Sequence, residues 1–362
     1  MAIKFAALFS LLFLLQPSAQ AVLLEGQPSL IRQPTTMAMG GASIGLADTE
    51  YALFNNPAGL AGQEDRKFHV IGLGLEASGD TYTAFKTSVD AFKHFSTDSL
   101  NQLMGMDIAL RGDAMTLVQL PHFAIAYIVD GQGSIEQFDP ANPTFKVGDM
   151  ITHGVQAGMG WSFSEGKHAT DEFRVGVAGK ALWRKGGFYN VSTTGFLSAT
   201  ANGKAFIDNL IGDYGAGFGA DAGFQYVNHL DQVTQVSVGA SITDIANTKF
   251  SSPQAEAIPM NIGFGLGFKR DLDFFKLKFD VDLQNLNQEG SLATKFHVGA
   301  DVGIPLFDFY AGLNQLYPTL GVSCDIWILK VTATTYAEEL GMYYNQAPSR
   351  RYMIQVDFYL PI

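Results

Sequence analysis

The amino-acid sequence predicts an all-β protein, an antiparallel transmembrane β-barrel of about 12–14 strands. Three observations carry this. Long runs alternate strictly between apolar and polar or small residues. These runs last about 10–13 residues, against ~5–6 in ordinary globular sheets and ~9–11 for a tilted membrane strand. Charged residues make up only 16% of the chain, beside 12% aromatics and 39 glycines, whereas about a quarter of a soluble domain is charged.

The first 21 residues read as a secretory leader: Lys4, an apolar run from Phe5 to Leu15, and the small-residue site Ala19-Gln20-Ala21, with cleavage near Ala21. That run is shorter than the ~20 residues a membrane-spanning helix requires. Without Lys4, 22 basic residues face 35 acidic ones, a balance of −13. Nucleic acid and anionic lipid surfaces would be repelled. A single cysteine, Cys324, permits no internal disulfide, so hydrogen bonding and packing must hold the fold.

The clearest alternation starts at Tyr214. Tyr214, Ala216, Phe218, Ala220, Ala222, Phe224 and Tyr226 point one way, with Gly215, Gly217, Gly219, Asp221, Gly223 and Gln225 opposite. Phe173, Val175, Val177, Ala181 and Trp183 stand against Arg174, Gly176, Lys180 and Arg184, and Phe275 to Leu283 against Lys276, Lys278, Asp280 and Asp282. Cys324 shares the apolar register of Leu320, Val322 and Ile326. Backbone groups in hydrocarbon need partners, so such strands must close into a barrel with the apolar set outside. Strands are expected near 67–78, 118–129, 152–164, 172–184, 187–197, 213–227, 233–244, 260–269, 274–285, 293–304, 306–314, 318–326, 327–337 and 351–362. The insertion from Asp80 to Gly112 holds a helix-like piece at Ser99 to Met104, and Ala199 to Ile211 is a second candidate helix.

Before the first strand lies an Ala- and Gly-rich stretch containing Gly40, Gly41, Asp48, Asn55, Asn56, Pro57 and Gly59. Met39-Gly40-Gly41-Ala42, Asp48 and Asn56-Pro57-Ala58-Gly59-Leu60 resemble the N-terminal signature of outer-membrane barrels related to FadL. These include fatty acid transporters, PorV-like barrels of a secretion system and TraF-type barrels of plasmid transfer. With the tail Tyr336 to Leu340 and Arg350 to Tyr352, the similarity is closer to the last two. The resemblance implies a leader over 1–21, an N-terminal plug over 22–66 folded into the lumen, and a barrel over 67–362 in the outer membrane of a Gram-negative cell. Small residues suit such a plug because they let its backbone approach the wall, and Pro57 and Gly59 suit a turn into the first strand.

The inward charges Arg174, Lys180, Arg184, Asp221, Asp280, Asp282 and Asp301 form either a paired polar lining or a head-group site, because buried charges must pair or be wet. His122, His153 and His297 are expected on strands. No His-Glu-x-x-His motif or cysteine pair occurs, and no Ser-His-acid set is brought together by the sequence, so no enzyme, metal or cofactor is expected. Two functions are open. Either the barrel passes a hydrophobic small molecule such as a fatty acid, with an apolar pocket beside the plug, or it anchors a protein of a secretion or transfer system. Its other partner is outer-membrane lipid.

Overall fold

A computed structural model of the chain describes residues 30–81, 106–136, 144–164, 170–192 and 212–361. The expected leader, the helix-like piece at 99–104 and the candidate helix at 199–211 lie outside them. Fourteen strands follow in order: β1 (Lys67–Ser78), β2 (Asp107–Leu120), β3 (Phe123–Glu136), β4 (Thr144–Ser164), β5 (Asp171–Ser192), β6 (Gly215–His229), β7 (Thr234–Thr243), β8 (Asn261–Asp271), β9 (Lys276–Leu283), β10 (Phe296–Ile304), β11 (Phe307–Asn314), β12 (Tyr317–Ile326), β13 (Leu329–Glu339) and β14 (Pro348–Pro361). Each pairs with its neighbours in sequence, and β1 closes on β14 from Lys67↔Pro361 to Ser78↔Arg351. Closure gives each described strand a partner on both sides, which is the condition for strands to cross lipid.

The outside is apolar as the alternation requires. Leu73, Leu75, Phe173, Val177, Phe218, Leu266, Leu320 and Ile354 are exposed there, with Phe218 at 76%. Inward positions on the same strands hold Lys180, Asp221, Gln225, Asp280, Asp282 and Gln355, all buried. Connections at the end where β14 finishes are short, at 121–122, 230–233, 272–275, 305–306 and 327–328. The opposite end carries the longer ones, including 244–260, 284–295 and 340–347. β4 and β5, at 21 and 22 residues, exceed the ~9–11 that a bilayer needs, and β5 runs on past its pairing with β6, which ends at Arg184, toward the long-loop end.

Three expected strands are corrected. The run 118–129 is not one strand: it straddles the Pro121-His122 turn between β2 and β3, and β2 begins at Asp107 inside the expected insertion. His122 therefore sits in a turn, with φ +62°. Conversely 172–184 and 187–192, the described part of the expected 187–197, are one strand, β5, whose pairing with β4 continues through Gly186 and Gly187.

Residues 30–66 precede the barrel wall. They form the helices α1 (Pro34–Ala38) and α2 (Ala52–Asn55) and a 3-10 turn over Pro57–Gly62. Pro34 and Pro57 stand at the first helical turn, where the missing N–H costs nothing. Asn56 accepts a hydrogen bond from the Ala58 N–H and so caps the 3-10 turn.

Candidate functional site

The N-terminal segment meets the inner wall through its backbone, and the wall supplies side chains to match. Four consecutive amides are received by two carboxylates on β9. Asp282 accepts from Ser43 N at 2.7 Å, Ile44 N at 2.9 Å and Gly45 N at 3.3 Å, and Asp280 accepts from Leu46 N at 3.1 Å. From the opposite side, Gln225 on β6 donates to the carbonyls of Gly45 and Leu46, and Ser237 on β7 also donates to Gly45 O. Asn56, fully buried, donates to Ile44 O at 3.0 Å and to Phe224 O at 3.3 Å. Its side chain thus fixes both the turn and the wall contact. Gln156 donates to Leu53 O, Gln284 to Gly41 O and Thr319 to Ala38 O. The His297 ring donates to Gly40 O at 2.8 Å.

Close backbone approach explains part of the glycine content. At Gly40, φ +67°, a Cβ would lie 2.3 Å from Val298 O. On β5, a Cβ at inward-facing Gly176 would lie 2.2 Å from the Pro57 carbonyl, while one at Gly179 would meet nothing within 4 Å. Gly176→Ala is therefore expected to cost about 1–3 kcal/mol through overpacking, and Gly179→Ala nearly nothing. Denaturant unfolding of the two variants in one detergent checks the contrast, and equal costs would contradict the tight seating of Pro57.

Three ion-paired anchors surround the segment. Arg32 reaches Glu76 at 2.9 Å and Glu338 at 2.9 Å and donates to Tyr336 Oη at 2.8 Å. Arg351 also pairs with Glu338 and with Asp107, and Ser349 bonds the Asp107 carboxylate. Asp48 sits between Lys278 at 3.0 Å and Lys269 at 3.3 Å. Burial opposes its charge, but the two lysines outweigh burial and hold the carboxyl well below the usual range. Glu50 contacts His69 at 2.8 Å and Lys67 at 3.8 Å. Burial would raise its carboxyl from the ordinary 4.5, yet the His69 hydrogen bond and the two charges bring it down to about 2.

A carboxyl depressed in the folded state stabilises above its unfolded value and loses that contribution as pH falls through the folded one. The attachment around Glu50 is thus expected to weaken as the pH falls from 4.5 towards 2. A spin label at Thr49→Cys, in a Cys324→Ser background, reads this as rising mobility. Mobility that increases on raising the pH instead would reverse the sign and refute the account.

The other expected site residues separate. Lys180 pairs with Asp221 at 3.0 Å and with Asp244 at 3.0 Å. Arg184 donates to Thr152 at 2.7 Å and to Glu256 O at 2.9 Å. Arg174 pairs with Glu172 at 2.6 Å near the short-turn end. Asp301 lies 3.9 Å from Lys278, and Asn55 donates to Gln33 at 3.4 Å. The three expected cations therefore make three separate contacts and form no common cluster. Arg32 and Glu76 escaped the sequence reading, and Glu338 and Arg351 entered it only through the resembling tail, with no role. Arg32 and Glu76 fall in different segments, and nothing in their spacing announces that closure brings β1 beside β14, one strand from β13.

Not all of the inner wall is polar. Met115 and Leu117 of β2, Ala124, Ala126 and Ile128 of β3, and Ala178 and Leu182 of β5 face inward and pack against Leu53, Leu60, Tyr51 and Leu30. This apolar track is filled by the segment's own side chains, where an open apolar pocket is the expectation for transport. The larger open space is mainly polar and the smaller one mixed. A cavity of about 750 Å3 at the short-turn end lies between Asp48, Thr49 and Tyr51 on one side and Lys278, Asp308 and Lys330 on the other. Toward the long-loop end a cavity of about 80 Å3 is lined by Ile31, Thr36, Asn55, Gln156, Lys180 and Ser241.

The connection 244–260 also turns inward. Asp244, Ala246 and Asn247 all have φ between +52° and +63°, a left-handed reversal that Asn and Asp tolerate better than Ala. The chain then crosses the inward face of β6 and β5: Cβ atoms at Gly215, Gly217 and Gly219 would strike Ser252, Phe250 and Thr248. Ser251 N donates to Ala216 O, Ile245 N to Ala220 O and Glu256 N to Gly186 O. Thr248 and Ile258 are buried, and Ile258 packs with Leu30, Leu53 and Leu182.

No family model matches the chain, and no curated protein matches it. Among solved structures, it is similar to the CymD monoaromatic hydrocarbon channel, at 11% identity and TM-score 0.48 over 95% of this chain and 99% of that one. The Ralstonia pickettii toluene transporter TbuX matches at 15% identity and TM-score 0.48 over 91% and 98%. The Pseudomonas putida toluene transporter TodX matches at 12% identity and TM-score 0.44 over 94% and 99%.

Proposed function

We propose that this chain is an outer-membrane barrel of a Gram-negative cell that passes a hydrophobic small molecule through a plugged lumen. Residues 1–21 are removed as a leader, 22–66 act as the plug and 67–362 form the barrel, with its short-turn end in the periplasm. The reading is non-enzymatic. The observation that carries it is the apolar track on β2, β3 and β5, with Leu117 and Ile128 fully buried. A water-filled pore gains nothing from an apolar inner wall, whereas a greasy solute needs one. Moving the plug, which covers the track with Leu53 and Leu60, would uncover that surface. The N-terminal signature resembles that of transporting and non-transporting FadL-related barrels alike, so it supports the plug and not the passage.

In this reading Gly40, Gly41, Asn56, Pro57 and Gly59 seat the plug, Asp48 latches it, and Asp280 and Asp282 hold its amides. Arg174, Lys180, Arg184, Asp221 and Asp301 act as paired lining. The test is mass spectrometry of molecules extracted from the protein purified out of outer membranes in mild detergent, with an unrelated barrel as control. A stoichiometric apolar compound, enriched over the control, supports passage. Finding only the control's lipids overturns it in favour of a barrel that anchors a partner of a secretion or transfer system.

A further inference from the structure

We propose that the connection 244–260 is a second gate, closing the lumen from the long-loop side independently of the plug; this rests on the reading of the lumen as a passage. A surface loop normally runs over the rim, where water satisfies its backbone. This one is held inside by partners on two strands. Its amides at Ile245, Ser251 and Glu256 are taken by wall carbonyls of Ala220, Ala216 and Gly186. Arg184 holds the Glu256 carbonyl and stacks over the Phe250 ring at 5.0 Å.

The hinge side is tied by charge. Lys180 Nζ lies 3.0 Å from Asp221 on the wall and 3.0 Å from Asp244 at the start of the connection. Asp221 also accepts from the Asp244 N–H at 2.7 Å, and Asp244 accepts from Thr248 Oγ1 at 2.6 Å. Lys180, Asp221 and Asp244 are all buried. Lys180 thus joins a wall carboxylate to a carboxylate of the connection, and without it two buried acids would face each other.

The two closures meet but do not merge. Ile258 touches the apolar cluster containing Leu30 and Leu53 of the N-terminal segment, and the cavity of about 80 Å3 remains between them. In this proposal a solute entering from the long-loop side reaches that space when 244–260 lifts, and passes further when the plug yields. The alternating glycines of β6 fit this division. Gly215, Gly217 and Gly219 receive the connection, and Gly223 receives Asn56 and Pro57.

The test measures access to the space between the closures and needs no transported molecule, so it can fail while the passage reading stands. Ser241, which lines the small cavity, is replaced by Cys in a Cys324→Ser background. The reconstituted protein is exposed from the long-loop side to a membrane-impermeant thiol reagent. Labelling is expected to be at least tenfold slower than at Tyr343→Cys, an exposed control site. Adding Lys180→Met is expected to raise the Ser241→Cys rate at least tenfold, and Lys180→Arg to leave it near the starting value. Heat-modifiable gel migration verifies that each variant is a folded barrel. If Lys180→Met does not fold, Thr248→Val, which removes the bond to Asp244 at nearly constant volume, should raise the rate about threefold or more. Labelling as fast as at Tyr343→Cys, or a rate indifferent to both Lys180→Met and Thr248→Val, overturns the gate.

Discussion

Arg32→Met is expected to destabilise the seated N-terminal segment by about 3–5 kcal/mol, the usual cost of removing one partner from a buried ion pair. Methionine fills much of the same volume but leaves the Glu76 and Glu338 carboxylates, both nearly inaccessible, without the cation that bridges them. Arg351 still contacts Glu338, so the deficit falls mainly on Glu76. Burial alone would weaken the Arg32 charge, but the carboxylates outweigh it and keep the guanidinium above its ordinary value. It therefore stays charged across the working pH range, and the effect should be flat with pH. Thermal unfolding and amide exchange over Ile31–Ala38 measure the loss. Adding Glu76→Gln should recover part of it, giving a coupling energy of about 0.5–3 kcal/mol. Strictly additive single and double variants would show that the pair is not coupled.

Asp282→Ala should have the second largest effect, confined to the segment. Hydrogen bonds to a charged acceptor contribute roughly 1.5–3 kcal/mol each, and three amides depend on this carboxylate. Removing it also relieves repulsion from Asp280 two residues away, so a net loss of roughly 2–4 kcal/mol is expected. That corresponds to amide exchange about 30- to 1000-fold faster at Ser43, Ile44 and Gly45. Asp282→Asn, which keeps one acceptor oxygen, should lie between. Unchanged exchange at these three amides would mean that Asp282 does not hold the segment.

Alternation made the barrel legible because most strands divide lipid from a polar lumen, and a period of two records that division directly. It failed where the division fails. From Met115 to Ile128 both faces are apolar, because Met115, Leu117, Ala124, Ala126 and Ile128 meet the N-terminal segment. Periodicity therefore fades and conceals the turn at Pro121-His122. The Gly186-Gly187 pair reads as a break, yet the ladder continues through it. One strand hidden and one divided leave the tally at fourteen, with the boundaries misplaced. Among site residues, Asp280, Asp282, Lys180 and Arg184 were legible as inward charges. Their partners were not, since Asp282 binds backbone amides 237 or more positions away. Backbone donors leave no mark in a residue pattern.

The ties on the N-terminal segment also have a mechanical consequence. They run to strands around the whole circumference: β1 and β13 through Arg32, β6 and β7 through Gly45, β9 through Asp282, and β12 through Ala38. Bonds that radiate from one body to opposite walls act as spokes, resisting ovalisation of the cylinder under the lateral pressure of the bilayer. A barrel emptied of its spokes would be a softer tube, so on the proposed reading any movement of the plug would also relax the wall through the same set of contacts.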